Sequence, residues 1–209
     1  MDIKYETMTK NDHKDIKRLI TEAWFSDYTF KDFYIKLYAS GYLNMYLAHA
    51  DYKVVAKDGN KVVGFIFGNY KKPSFFVRLK ANLKLLLYMF IMLFSFPGRR
   101  GLRITFITNK VNNKLIKQYK KDLKNELVLF IVDDSYQGHG IGSTLEKMFC
   151  EYLKERNVKN VYLYTDTYSN YKYYEKRNYK RLAEEKVDFK IKNETSFSKS
   201  KYYLYAKEL

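Results

Sequence analysis

Apolar residues recur along the 209-residue chain with two different periods, and the exchange between them predicts strands and helices in alternation. Residues 3–8 read as a short strand. Thr9 reads as the N-cap of a helix over 11–25, in which Ile16, Leu19, Ile20 and Ala23 share a face. A second helical stretch, 30–49, is rich in Tyr and Leu, with Gly41 as an expected break. Residues 53–57 and 61–70 flank Asp58-Gly59-Asn60, and Asp-Gly between Val-rich runs signals a tight hairpin, whose turn needs positive φ. Residues 127–132 form a continuous apolar run closed by Asp133-Asp134, as in a strand covered on both faces. Then Ile141, Leu145, Met148, Phe149, Tyr152 and Leu153 follow at helical spacing. Residues 161–165 read as a strand, 170–176 as a short helix, 179–190 and 201–207 as closing strands, and 193–200 as a polar turn. The pattern implies one α/β (α+β) domain with a mixed sheet.

Charge divides the chain unevenly. Lys+Arg 39 against Asp+Glu 23 gives +16, yet residues 71–124 hold fourteen Lys/Arg and one acid, Asp122, which is +13. The remainder carries 25 basic and 22 acidic residues, only +3. Both prolines, Pro73 and Pro97, lie in the basic segment. The 46% hydrophobic content excludes a disordered basic tail. A single cysteine, Cys150, excludes a disulfide framework and a Cys-rich metal site, and no metal is expected. The N-terminal residues carry no apolar signal core, so a cytoplasmic location is expected.

Three glycines, Gly138, Gly140 and Gly142, fall within five residues, after a buried strand and at the opening of a helix. Glycines there let backbone approach a ligand closely, and the first helical amides present the positive end of the dipole, which suits a pyrophosphate. The spacing is neither the dinucleotide fingerprint nor a P-loop, since no Lys-Ser/Thr follows. A tight strand–helix turn would use the same glycines.

The run Gln137-Gly138-His139-Gly140-Ile141-Gly142 resembles the acetyl-CoA signature Gln/Arg-x-x-Gly-x-Gly/Ala of the GCN5-related N-acetyltransferase (GNAT) family. Asn170 followed by Tyr173-Tyr174-Glu175-Lys176 is similar to the family's second landmark, with Asn178-Tyr179 in place of a Gly-Phe pair. Asn tolerates the left-handed backbone that Gly would supply there. The closing residues 201–209 are like the family's last strand. The resemblance covers 126–209 well and the N-terminal half by element order alone. It implies a mixed, mostly antiparallel sheet flanked by helices and splayed between the fourth and fifth strands, in a single domain, 1–209. It also implies an acetyl-CoA-dependent N-acetyltransferase acting on a primary amine by direct attack. Phe130, Ile131 and Val132 would then pair with the pantetheine amides, as an added strand does. The amides of Gln137, Gly138, His139, Gly140, Ile141, Gly142 and Ser143 would hold the pyrophosphate, and Asn170 would bond the cofactor arm unless it only caps its helix.

Acyl transfer to an amine needs a deprotonated amine and a proton for the departing thiolate. Tyr174 aligns with the family tyrosine that donates that proton or orients the thiol, and an ordinary phenol near pKa 10 is competent. Seven tyrosines between 161 and 179 make its register with Asn170 and Glu175-Lys176 the distinguishing feature, with Tyr173 as the rival. Glu126, eleven residues before Gln137, is the candidate general base, and strand alternation would put it on one face with Val128, Phe130 and Val132; an exposed strand-start carboxylate is the plainer reading. Asp166 is another candidate amine contact. His139 lies in the cradle, His13 and His49 lack partners at ligand spacing, and Cys150 reads as core.

On that fold the basic segment, 71–124, is a helical insertion between the third and fourth strands. Phe76, Leu79, Leu83, Leu86 and Phe90 form one stripe flanked by Arg78/Asn82 and Lys80/Lys84, and beyond Leu85 the helix is apolar all round. The twelve residues 85–96, apolar but for Ser95, fall short of the roughly 20 of a membrane span. Three readings stand: a lid over the acceptor pocket, a homodimer contact, or a peripheral contact with an anionic membrane or lipid-like acceptor. Arg99, Arg100 and Arg103, after Pro97-Gly98, could reach CoA phosphates or an anionic acceptor, or form a solvated charge run. Nucleic-acid binding is not expected, because no such module accompanies the charge. The competing function is a non-catalytic CoA-binding or membrane-peripheral adaptor acting through the insertion. Small amines, antibiotics, protein N-termini and lysine side chains are all compatible acceptors.

Overall fold

The computed structural model describes residues 1–25, 32–71, 75–188 and 199–209. Strand β1 (Ile3–Thr7) leads through a 3-10 turn, Lys10–Asp12, into helix α1 (His13–Phe25). Thr9 caps the 3-10 turn rather than the α-helix: its N–H and hydroxyl both donate to the Asp12 carboxylate, at 2.7 and 2.9 Å. Ile16, Leu19 and Ile20 are buried as their spacing requires. Ala23 is exposed, and Trp24 completes the apolar face against Tyr42 and Tyr46, at ring distances of 5.5 and 6.3 Å.

Those tyrosines belong to α2 (Asp32–His49), which runs through Gly41 without a break. The Gly41 position faces the ring of Tyr88, where a Cβ would lie 3.8 Å from Cγ, an ordinary van der Waals distance, so this glycine neither interrupts the helix nor is required by the contact. Strands β2 (Tyr52–Asp58) and β3 (Lys61–Gly68) form the expected hairpin, with Asp58 opposite Lys61 and Gly59 at φ 59°. After the long β3–β4 connection come β4 (Leu127–Val132), α5 (Ile141–Lys154), β5 (Asn160–Asp166), α6 (Tyr171–Glu175), β6 (Lys180–Asp188) and β7 (Lys199–Glu208). Of the expected polar turn over 193–200, residues 193–198 lie outside the described residues, while Lys199 and Ser200 already belong to β7.

Two antiparallel sheets result, in the orders β1-β2-β3-β4 and β5-β7-β6. Among the described residues β4 and β5 meet at a single parallel bridge, Glu126 with Tyr162, supported by the Tyr162 N–H donating to the Asn125 carbonyl at 3.0 Å. Beyond that point they part, which is the splay the resemblance implied. Helix α5 covers one face, burying Ile141, Leu145, Phe149 and Leu153 against Val54, Ile66 and Leu163. Helices α1 and α2 cover the other face of the first sheet, over Val55, Phe65, Phe67 and Leu129.

The β3–β4 connection is helical, as expected: α3 (Phe75–Leu93) and α4 (Phe96–Ile116). Ser95 caps α4 by accepting the Gly98 N–H at 3.0 Å. Helix α4 packs Val111, Leu115 and Ile116 on Tyr162, Tyr202 and Leu204 of the second sheet. Helix α3 rests on α2 through Tyr88, whose hydroxyl accepts from Asn44 at 3.4 Å. Its predicted apolar stripe points the other way. Leu79, Leu83, Leu86 and Phe90 are exposed, while Met92 is buried. A helix apolar all round has no face fixed by pattern, so the tyrosine-lined surface of α2 decided which face was covered.

Candidate active site

The cradle begins at Asp133, where β4 ends. Burial raises the Asp133 carboxyl, but hydrogen bonds from Ser135 and Arg18 outweigh it and hold the group below its ordinary value. Arg18 reaches Asp133 at 3.0 Å, and the Tyr136 hydroxyl donates to Asp58 at 3.0 Å, so α1 and the β2–β3 hairpin both anchor the turn. Gln137 is drawn back by its side-chain amide, which donates to Asp134 at 2.6 Å. Gly138 and Gly140 then take φ of 81° and 78°, the left-handed region that a side chain disfavours by about 1–2 kcal/mol. A Cβ at either would meet nothing within 4 Å, so the space beside this backbone is open.

Gly140 is the N-cap of α5, and the first helical N–H with an acceptor is Thr144, on the Gly140 carbonyl at 3.0 Å. The amides of Ile141, Gly142 and Ser143 precede it and have no acceptor within the helix, at the positive end of its dipole. Gly142 serves packing instead, because a Cβ there would come within 3.1 Å of the Phe130 ring, and glycine permits the helix to close on β4. His139 Nδ1 lies 3.0 Å from the Gln137 carbonyl within the same turn.

Along β4 the backbone alternates. The Asp133 N–H donates to the Val63 carbonyl at 2.8 Å, so Asp133 and Ile131 turn their backbone groups toward β3. Phe130 and Val132 therefore turn theirs toward the gap before β5. Ile131 contributes packing on the α1/α2 side instead.

On the far side of the gap stands α6. Asn170 precedes it, exposed and without a side-chain capping bond, so helix capping does not occupy its amide. The two tyrosines separate clearly. Tyr173 packs 5.7 Å from Phe130, and its hydroxyl donates to Glu146 at 3.1 Å. Tyr174 is wedged among Tyr173, Tyr179 and Tyr205, at ring distances of 5.4, 5.5 and 6.4 Å. Its hydroxyl has no hydrogen-bond partner among the described residues. Burial pushes the Tyr174 phenol well above its ordinary value, so it stays protonated. Asn178, where the resemblance has glycine, holds φ 65°.

Glu126 lies at the vertex where β4 and β5 still touch. A β-bulge sets Phe67 opposite Leu129 but Gly68 opposite Leu127, leaving Val128 unpaired and breaking the alternation. Glu126 consequently does not share the face of Phe130 and Val132. Its carboxylate accepts the Tyr162 hydroxyl at 3.1 Å, with Tyr46 and Tyr164 in electrostatic range. Burial pushes its pKa up to about 7, against a smaller opposing effect of Tyr162. This is not the exposed strand-start carboxylate of the plainer reading. Asp166 is already engaged, accepting the N–H groups of Tyr168 and Ser169 at 2.9 Å each.

The sequence profile described as Acetyltransferase (GNAT) family matches residues 14–179. The chain belongs to the GNAT acetyltransferase family. It is thus an acyltransferase, and GNAT acetyltransferases use acetyl-CoA. Among solved structures it is similar to a protein of Pyrococcus horikoshii OT3, at 18% identity and TM-score 0.61 over 100% of this chain and 99% of that one. An N-acetyltransferase from Staphylococcus aureus Mu50 is 15% identical, with TM-score 0.54 over 100% and 99% of the two chains. The PaiA N-acetyltransferase from Thermoplasma acidophilum, in complex with coenzyme A, is 13% identical with TM-score 0.54 over the full length of both. No curated protein matches the chain.

For a GNAT chain, the open β4 edge and the amides of Ile141, Gly142 and Ser143 fit an acyl-CoA donor: extended amides would meet Phe130 and Val132, and phosphates the α5 N-terminus. The expected Gln137 amide is not free for this, since its N–H donates to the Asp134 carbonyl at 3.3 Å. Sequence reasoning missed Glu146. It is 1% exposed and takes Arg177 at 2.7 Å, Lys207 at 3.0 Å and Tyr173. The signal was available, because Glu146 stands three residues before Phe149 and four before Cys150, on the buried face of α5. The tyrosines around Glu126 come from α2 and β5 and had no local signal.

Proposed function

We propose that the protein transfers an acetyl group from acetyl-CoA to a primary amine by direct attack at the vertex of the β4–β5 gap. The domain is 1–209, with 71–124 as an insertion. What carries the reading is one arrangement: unengaged backbone on β4 and at the α5 N-terminus, leading to a carboxyl with a pKa of about 7. Six strand steps separate Glu126 from Val132, about 20 Å at roughly 3.3 Å each, a run along which an extended amide arm can lie. Glu126 takes one proton from the attacking ammonium, the nitrogen lone pair forms the C–N bond, and as the C–S bond breaks the second proton lost by the nitrogen passes to the departing thiolate, giving the amide and free CoA thiol. A carboxylate poised near neutrality suits that base role.

Tyr174 meets the sulfur as it leaves. Because burial raises its pKa, full proton transfer to a less basic thiolate is uphill, and the residue acts by donating a hydrogen bond that strengthens as charge builds on sulfur. Cys150, the sole cysteine, is buried with its thiol pKa raised by desolvation, which favours direct attack over a cysteine acyl-enzyme.

The test compares Tyr174→Phe and Tyr173→Phe in thiol release from acetyl-CoA with a panel of primary amines. Tyr174→Phe is expected to lower kcat about 10–100-fold with acetyl-CoA affinity nearly unchanged, and Tyr173→Phe to change kcat less than about threefold. Equal effects, or no transfer to any amine, would overturn the assignment.

A further inference from the structure

Helix α3 exposes the wrong kind of surface for a protein facing only water. Leu83, Leu86 and Phe90 are 60%, 59% and 59% exposed, and Phe94, just past the helix end, is 74% exposed. Leu79, Leu87 and Leu93 extend the same ridge. At roughly 150–200 Å² for a fully exposed side chain of this size, the ridge presents about 600–800 Å², beyond the few hundred Å² usual on a monomer.

The ridge has a charge pattern. Lys80 and Lys84, exposed and one turn apart, run along one flank. On the adjoining helix Arg99, Arg103, Phe106 and Lys110 are all exposed at helical spacing, so α4 adds three cations and one aromatic ring to the same hairpin. No Asp or Glu occurs from residue 71 to residue 121. The hairpin is firmly held: Lys114 meets Glu185 at 2.6 Å, the Thr108 and Tyr202 hydroxyls lie 3.2 Å apart, and Tyr38 donates to the Gly98 carbonyl at 3.1 Å. The ridge is the outer side of an anchored element.

We infer that the α3–α4 hairpin docks on an anionic lipid bilayer, α3 lying in the interfacial plane with its Leu/Phe ridge in the acyl boundary and the cations at headgroup level. No described helix is long and apolar enough to cross a membrane, so the contact is peripheral. Apolar burial and attraction to anionic headgroups act together in such helices. A second copy fits the surface less well, because a twofold contact would bring the same cations face to face with no carboxylate between them. Nucleic acid would engage the cations and leave the ridge in water.

The full chain is assayed by co-sedimentation with phosphatidylcholine vesicles, with and without phosphatidylglycerol, at low and high salt. Binding is expected to the phosphatidylglycerol vesicles only, and to weaken as salt rises. Lys80→Gln/Lys84→Gln should weaken it about tenfold or more. Leu83→Gln/Leu86→Gln/Phe90→Gln should abolish it with unchanged melting, since these side chains are already in solvent. Absence of binding to anionic vesicles overturns the inference, as does full binding by the Leu/Phe variant. A dimer in light scattering that this variant converts to monomer, without vesicle binding, would assign the ridge to a second copy instead.

Discussion

Replacing Glu126 with Gln isolates the most perturbed carboxyl of the cleft. In the folded protein its pKa is about 7, against a reference of 4.5. The sign follows from proton uptake. Below the reference value both folded and unfolded states hold the proton, and Glu126 imposes no penalty. Between 4.5 and about 7 the unfolded state ionises first, so stability falls as pH rises, and above 7 the loss is complete. The interval of about 2.5 units corresponds to roughly 3 kcal/mol. For a chain of this length that is about 6–12 °C in Tm. Glu126→Gln keeps the acceptor for Tyr162 and removes the titration. Calorimetric melts from pH 4.5 to 8.5 should therefore show the variant drawing progressively above wild type across that window, and remaining above it. If Glu126 is the base, the same ionisation should produce an ascending limb in kcat/KM with a midpoint near 7, which the variant should lose together with most of its turnover. Parallel melting curves would refute the burial argument. An unchanged ascending limb would refute Glu126 as base.

Other perturbations probe the frame around the cleft. Glu146→Ala should cost about 3 kcal/mol, toward the low end for a broken buried pair because Arg177 and Lys207 retain some access to water, and urea unfolding will read it. Gly68→Ala should destabilise by about 1–3 kcal/mol, since its Cβ would fall 2.1 Å from the Phe149 ring in the core, again measured by unfolding.

Elements with a strong period or a sharp signal were legible in the sequence. The hairpin at Gly59, the buried face of α5 and the cradle glycines depend on local chemistry that sequence writes down directly. Asn178 is an instructive case: its ability to hold φ 65° was predictable from residue type alone. What escaped depends on tertiary choice. The face of α3 that turns outward was undetermined, because apolar residues surround the helix beyond Leu85. The β4 bulge moved Glu126 off its expected face, and nothing local to residues 126–129 announces it. The division of labour between Tyr173 and Tyr174 rests on Glu146, a partner contributed by α5 that strand and helix patterns do not reveal.

The proposed chemistry depends on an acyl-CoA donor being held by backbone amides at the α5 N-terminus, beside the open edge of β4. Isothermal titration of acetyl-CoA into wild type and Gly140→Val decides the point. No atom lies within 4 Å of where a Cβ at Gly140 would sit, so the free protein has room beside this backbone, and the replacement costs at least about 1–2 kcal/mol because a β-branched residue is disfavoured at φ 78°. Wild type is expected to bind, with at least a tenfold loss of affinity in a variant that still melts cooperatively. Equal affinity in the two proteins would contradict the backbone cradle.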